Sequence, residues 1–487
     1  MIDITTLTIN QIRQGLLDKL FTATDVVNFY LDRIKKIDPL IKAFITVTDK
    51  QALSQAKKLD DKINQAKKIG NLAGSCMAVK DIYLTKDIET TSASQVLKGF
   101  IPQYSSTIYQ RLLDQDAIII GKTNTDCFAF GASTENSGFF TTKNPWNTKL
   151  VPGGSSGGSA AAQVSDLCTF ALGTDTGGSI RQPASLCSVT GIKTTYGRNS
   201  RYGITAMASS FDAPGAFAAN CQDLATVLSQ TAGFDSHDAT SSQEPVPNYT
   251  KLLDKFDLKG LRVGLPKQYF EGIDDEVKTK VEEASKIFAK RGAKLVPISL
   301  PNTSLGIDVY YVLVPCEISA NMARYDGLRF GQSAKDADNL VDLYFKSRGQ
   351  FMEPELKRRI LIGTYFLSSG YYDAYYLQAS KVRTIIRQEF QQELAKVDVI
   401  LTPVSPTTAW PIGEKVNDPL KMYLADVLTV CVNVAGLPAL SLPCGFDNKG
   451  LPIGLQLIGN YFEEDKLLSV GHQFQKITDF HLKKPKL

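Results

Sequence analysis

LVPGGSSGGSAAAQVSDLCTFALGTDTGGSIRQPASLCSVTGIKTTYGRNSRYGITAMASSFDAPG runs from Leu150 to Gly215 and carries two glycine–serine clusters, Gly153–Gly158 and Gly177–Ser179. Glycine at this density does not stabilise a fold, because it loses more backbone freedom on folding than any other residue. It serves where the backbone must take unusual dihedrals or approach something closely. Serines placed among such glycines bring hydroxyls and N–H groups toward one point. The stretch reads as a nucleophile, a helper hydroxyl and an anion-stabilising loop.

Short apolar runs flank this region. Ser75–Val79, Ala117–Ile120 and Phe170–Gly173 read as buried strands, with helices at Ile108–Leu113 and Ser159–Val164 between them. Further on, Leu261–Leu265, Leu295–Leu300, Val397–Leu401, Ala439–Leu442 and Ile453–Ile458 also read as strands. Asp275–Arg291 reads as a helix stopped by Gly292. This alternation predicts an α/β protein with one large, mixed but mostly parallel, twisted sheet covered by helices. Residues 8–66 read as helices, one capped at Thr24-Asp25 and stopped at Asp38-Pro39, another over Ala52–Ala66. Ser236–Tyr249 is polar and reads as an exposed loop, and residues 310–395 as mostly helical. Elements at both ends suit one sheet, so residues 1–487 are expected to form a single domain, with N-terminal helices over 1–70 and a core over 70–235.

The 487 residues carry a net charge of +4, with 43% hydrophobic and 21% charged residues. No basic stripe predicts direct contact with nucleic acid, and the basic tail His481–Leu487 reads as a solvated terminus. The eight cysteines show no C-x-x-C spacing, so neither a zinc site nor a disulfide framework is expected. MIDITTLTINQIRQG lacks the charged and apolar regions of a signal peptide, and no window reaches the ~18 apolar residues of a membrane span. A soluble cytoplasmic protein without a metal is the expectation.

A nucleophilic serine needs a base. The three histidines, His237, His472 and His481, lie in a polar loop, on a C-terminal helix and in the tail, and read as surface or packing residues. Lysine is the remaining ordinary base. Its free pKa of ~10.4 leaves it protonated at neutral pH, but burial penalises the charged form. Lys80 follows the apolar run Cys76–Val79 and projects from the end of a strand, where α/β sheets place ligands. By position alone such a lysine also fits a structural or solvated role. Gly121-Lys122-Thr123 ends like a phosphate-binding loop, but Asp116 stands where that motif requires glycine.

Four segments together resemble the amidase signature family: Ala78–Asp81, Gly153–Ser159, Gly173–Pro183 and Gly191–Lys193, with Ser155 and Ser179 standing 24 positions apart as in that family. The resemblance implies the amidase signature fold and a Ser–cis-Ser–Lys triad. Ser179 is then the nucleophile, Ser155 the bridging serine on a cis peptide, and Lys80 the base. The backbone N–H groups of Thr176, Gly177, Gly178 and Ser179 are implied to bind the oxyanion.

Within the family the chain is most similar to the glutaminase components of tRNA-dependent amidotransferases, nearly end to end. The matching pieces include Gly121–Asp126, Lys143–Trp146, Tyr196–Gly203, Ala323–Gly327, Gly370–Tyr376 and Ala435–Pro438. This implies glutamine hydrolysis and transfer of ammonia to a partner B subunit. That partner uses ATP and magnesium to amidate Glu-tRNA(Gln), or Asp-tRNA, while a small C subunit clamps the pair. No cofactor is implied for the chain itself. Arg359 is implied to grip the α-carboxylate, Asp426 the α-amino group, and Tyr310 to close over the side chain. Residues 310–395 are implied to bind substrate and face partners. The chain departs from the subfamily at Cys127, where Glu is usual, at Ser75-Cys76-Met77 and at Phe351–Pro354. Cys127 is expected to alter the ammonia route or partner contacts, the other two only packing. A stand-alone amidase for another carboxamide and a non-catalytic scaffold are the competing readings.

Overall fold

The structure is a computed structural model that describes residues 4–487. Its strands are β1 (Phe44–Val47), β2 (Cys76–Lys80), β3 (Ile118–Thr123), β4 (Phe170–Asp175), β5 (Thr190–Lys193), β6 (Ala213–Ala218), β7 (Arg262–Pro266), β8 (Lys294–Ile298), β9 (Val399–Pro403), β10 (Ala439–Phe446) and β11 (Pro452–Ile458). They form one sheet in the order β1-β3-β2-β4-β6-β5-β10-β11-β9-β7-β8. Strands from both ends of the chain therefore share one ladder, as the sequence pattern predicts.

The sheet is mixed, but its parallel share is smaller than expected. Four pairings are parallel, β2 with β3 and β4, and β7 with β8 and β9. Six are antiparallel. Four of the six antiparallel pairings involve strands that the pattern missed, and the other two join β11 to β10 and β9. Thr190–Lys193 is only four residues long, and Ala213–Ala218 (APGAFA) contains Pro and Gly, which normally argue against a strand. Gly215 is needed there because a Cβ would lie 2.0 Å from the Ile192 carbonyl oxygen of the neighbouring strand. β1, hidden in a region read as helical, caps the sheet edge against β3.

Alternation along β2 divides the interior. Met77 and Val79 join the larger core with Ile119, Phe170 and Leu172. Cys76 and Ala78 join a second core with Ile118, Ile120, Ala171 and the helix Gly157–Val164, under the N-terminal helices. Lys80 continues the face of Cys76 and Ala78, at the carboxyl end of a strand buried at every position.

Helix boundaries correct several expectations. The helix Ala23–Ile41 is capped by Thr22 rather than Thr24, through a capping box with Asp25. Thr24 instead donates its hydroxyl to Asp60 at 2.6 Å. Pro39 does not stop this helix, which runs to Ile41 and ends where Lys42 turns left-handed at φ 54°. Pro39 sits in the last turn, where the missing N–H costs little more than one bond. The helix Asp275–Lys290 forms as read, and Gly292 follows it at φ 91°. Residues 310–395 hold parts or all of helices Gly306–Met322, Leu340–Phe351, Pro354–Phe366 and Gln378–Leu394, with 323–339 non-helical. Among the described residues no helix is long and apolar enough to cross a membrane.

Candidate active site

Lys80 is wholly buried, and its Nζ lies 2.7 Å from Ser155 Oγ, 2.9 Å from Ser156 Oγ and 3.0 Å from Thr174 Oγ1. No carboxylate of the described residues lies within salt-bridge distance of it. Burial drives its pKa down to about 7, with Asp126, Asp212 and Asp175 opposing. The amine is therefore half deprotonated near neutrality, which a base requires. Lys122, one strand over and equally buried, differs by pairing directly with Asp81 at 3.0 Å.

The Gly154–Ser155 peptide is cis. The surrounding glycines are explained by close approach. A Cβ on Gly154 would lie 2.4 Å from Asp126 Oδ2 and 2.5 Å from the Ser133 amide nitrogen. A Cβ on Gly158 would lie 2.4 Å from the Asn124 carbonyl oxygen. The serine loop can thus seat against neighbouring backbone only without side chains.

Ser179 stands between β4 and the helix Arg181–Cys187. Its Oγ makes no hydrogen bond to any described residue, and it lines a small cavity. The Ser156 amide donates to the Ser179 carbonyl at 3.2 Å, tying the two serine loops together. The Lys80–Ser155 link is formed, whereas the Ser155–Ser179 side-chain hydrogen bond is not closed. Catalytic hydrogen bonds commonly tighten only when substrate is bound. The N–H groups of Gly177, Gly178 and Ser179 donate to no acceptor among the described residues. A Cβ on Gly177 would lie 2.7 Å from Tyr310 Oη, so the loop and the tyrosine touch.

What holds this loop was not visible in spacing. The buried Arg181 forks onto Asp175, Nη2 to Oδ1 at 2.9 Å and Nε to Oδ2 at 3.0 Å. It also donates to Gln456 Oε1 at 2.9 Å and Asn433 Oδ1 at 2.5 Å. Burial alone would raise the Asp175 pKa, but Arg181 and Lys193 outweigh it and lower it to about 2. Thr429 Oγ1 donates to the Gly177 carbonyl at 2.6 Å, and Thr176 Oγ1 to Asp212 at 2.7 Å. Asp175 and Arg181 lie within the quoted motif, but Thr429, Asn433 and Gln456 arrive from far along the chain.

The cavity beside Ser179 is also lined by Tyr310, Tyr311, Glu355, Arg359 and Asp426. Its free volume is about 30 Å³, room for little more than a water, and Val416, Pro419 and Met422 form part of its wall. Arg359 is buried and gives its Nε to Glu355 at 2.7 Å, while its Nη1 has no partner among the described residues. Burial opposes its charge, but Tyr311 and Glu355 outweigh it and hold the guanidinium above its ordinary pKa. The Asp426 carboxyl accepts no hydrogen bond from the described residues, and burial followed by Asp175 pushes its pKa well up. All three residues expected to recognise substrate thus meet on one cavity with Ser179. None of the histidines lines it.

Cys127 is not placed to touch a partner. It is wholly buried in the larger core and lines neither this cavity nor a neighbouring one, so it presents no surface to a partner. Burial, then Glu353 and Asp126, hold its thiol well above the usual range, so it cannot supply a carboxylate's charge.

Residues 25–468 match the family model for amidases. The chain belongs to the amidase family. Among its relatives is the A subunit of glutamyl-tRNA(Gln) amidotransferase from Microcystis aeruginosa, 50% identical over 98% of this chain and 99% of the relative. The protein of the same name from Persephonella marina is 48% identical over 98% and 99%. Among amidase-family structures, the crystal structure of the same amidotransferase component from Thermotoga maritima superposes with a TM-score of 0.82 at 36% identity, covering all of both chains. A peptide amidase bound to the inhibitor chymostatin superposes at 0.83 with 27% identity over 99% of each chain.

Proposed function

We propose that this chain is the glutaminase component of a tRNA-dependent amidotransferase, using Ser179 as nucleophile, Ser155 as relay and Lys80 as base. One observation carries the reading. A serine with a free hydroxyl shares one cavity with the unpartnered Nη1 of Arg359 and the Asp426 carboxyl, and behind it a buried lysine poised to lose its proton is hydrogen-bonded to Ser155. End-to-end similarity to proteins named as the glutamyl-tRNA(Gln) amidotransferase A subunit supports it.

Glutamine seats its α-carboxylate on Arg359 and its α-ammonium on Asp426, with Tyr310 against the side chain. The cavity must widen to admit it. The Ser179 hydroxyl proton passes to Ser155 Oγ as the Ser155 proton passes to neutral Lys80. Ser179 Oγ bonds to the side-chain carbonyl carbon, and the oxyanion takes the N–H groups of the loop Thr176–Ser179. Removing one such donor typically costs ~10²–10³ in rate. Collapse breaks the C–N bond, and the proton returns through Ser155 to the leaving nitrogen, giving ammonia. Water then attacks the ester by the same relay and releases glutamate.

Ammonia passes to the partner B subunit, where ATP and magnesium serve the amidation of Glu-tRNA(Gln) or Asp-tRNA, with a C subunit completing the complex. A second cavity of about 410 Å³ is lined by Thr174 and Asp212, and Thr174 touches Lys80. We assign it to the ammonia route. Residues 310–395 serve substrate and partners. The test is ammonia release from glutamine by the complex co-expressed with its B and C subunits. Wild type is expected to be active and Ser179→Ala inactive. An active Ser179→Ala variant rules out the mechanism, and full activity on simple amides without partners favours a stand-alone amidase.

A further inference from the structure

Arg359 is held by more than the cavity. Glu355, one helical turn earlier on Pro354–Phe366, accepts its Nε at 2.7 Å with the same Oε1 that receives Tyr423 Oη at 3.4 Å. The other carboxylate oxygen of Glu355 is taken by Arg358. Tyr311 and Tyr423 stack face to face with centroids 3.8 Å apart, and the Arg359 guanidinium lies 4.7 and 4.6 Å from the two rings. Nε is thereby used and the guanidinium is packed on aromatic surface. Nη1 remains buried beside the cavity, without a partner among the described residues. A buried donor left in this state costs free energy that an incoming carboxylate recovers.

We propose that Glu355 is a positioning residue which, with the stacked Tyr311–Tyr423 pair, aims Arg359 at the cavity and so makes an α-carboxylate a requirement of the substrate. This rests on the glutaminase reading of the same site. Tyr311 and Arg359 sit on two long helices, Gly306–Met322 and Pro354–Phe366. Tyr423 ends the short helix Pro419–Tyr423, just before Asp426. The same short segment therefore brings the clamp for the carboxylate-binding group and the acid for the ammonium. Substrate lacking a carboxylate leaves Nη1 unpaired and gains nothing from the clamp.

The experiment compares ammonia release from glutamine and from 4-aminobutanamide, which is glutamine without its carboxylate, by the assembled complex. The wild type is expected to favour glutamine. In Glu355→Gln and in Tyr423→Leu the ratio of kcat/KM for the two amides should fall about tenfold, the size of a lost charge-assisted contact, through a higher KM for glutamine. Tyr423→Phe, which keeps the ring, should restore most of the ratio. Equal losses for both amides, or a ratio that stays at the wild-type value, would overturn the inference. Wild type that releases no ammonia from glutamine would remove the glutaminase reading itself, a result separate from an active wild type whose ratio does not move.

Discussion

Two parts of the site are built on opposite principles. On one side, Lys80, Ser155 and Ser179 come from within a hundred positions of one another, on strand ends and glycine loops packed against backbone. Lys80 is held without a direct counter-charge: burial lowers its pKa to about 7, and among the described residues only hydroxyls touch its nitrogen. On the other side, Tyr310, Arg359 and Asp426 come from helices spread over more than a hundred positions, and Arg359 keeps its charge through Glu355 and aromatic neighbours. Desolvation brings the first basic group to the point of losing its proton near neutrality, while compensation keeps the second charged. The comparison teaches that burial does not fix protonation; the partners supplied with it do.

The comparison can be broken at each side. The largest effect is expected at the nucleophile: Ser179→Ala should reduce ammonia release from glutamine by at least ~10³-fold, measured by coupled glutamate detection, while the fold stays intact. Next, Arg181→Met should leave Asp175 charged and unpaired, destabilising the chain by ~3–5 kcal/mol in urea unfolding. An unchanged midpoint there would show that Arg181 does not hold the loop. A smaller and different effect is expected at Arg359→Lys. KM for glutamine should rise ~10-fold or more with kcat nearly kept, since lysine cannot reproduce the fork. If kcat fell and KM held, Arg359 would belong to the reactive half rather than to recognition.

The two halves also differed in how far the sequence revealed them. In the reactive half the glycine–serine clusters were local signals, but Lys80 by position alone also fitted a structural role, and the family resemblance is what joined it to Ser155 and Ser179. Lys80 and Ser155 form the hydrogen bond that a relay needs, and Ser179 lines the cavity. The supports were not legible. Thr429, Asn433 and Gln456 reach the nucleophile loop only through tertiary packing, and nothing in their neighbourhoods marks them. Arg359 by position reads as a solvated helix charge, yet it is buried, and only family resemblance singled it out. Most strands of the sheet were legible as apolar runs. β5 and β6 were not, because β5 is short and β6 contains proline and glycine, the glycine allowing close approach to β5 rather than forming a turn. Thr22 took the cap expected at Thr24 because Thr24 is drawn to Asp60 across the helix pair, a contact absent from local pattern.

The central claim is that Lys80 works as a neutral amine. Because burial lowers its pKa to about 7, the basic form is the majority above that pH and is lost below it. The deciding measurement is the pH dependence of kcat/KM for glutamine in the assembled complex. It should rise about tenfold per pH unit at low pH and level off with an apparent pKa near 7. A profile that is flat across this range, or one that climbs only toward the ~10.4 of a free lysine, would contradict the account.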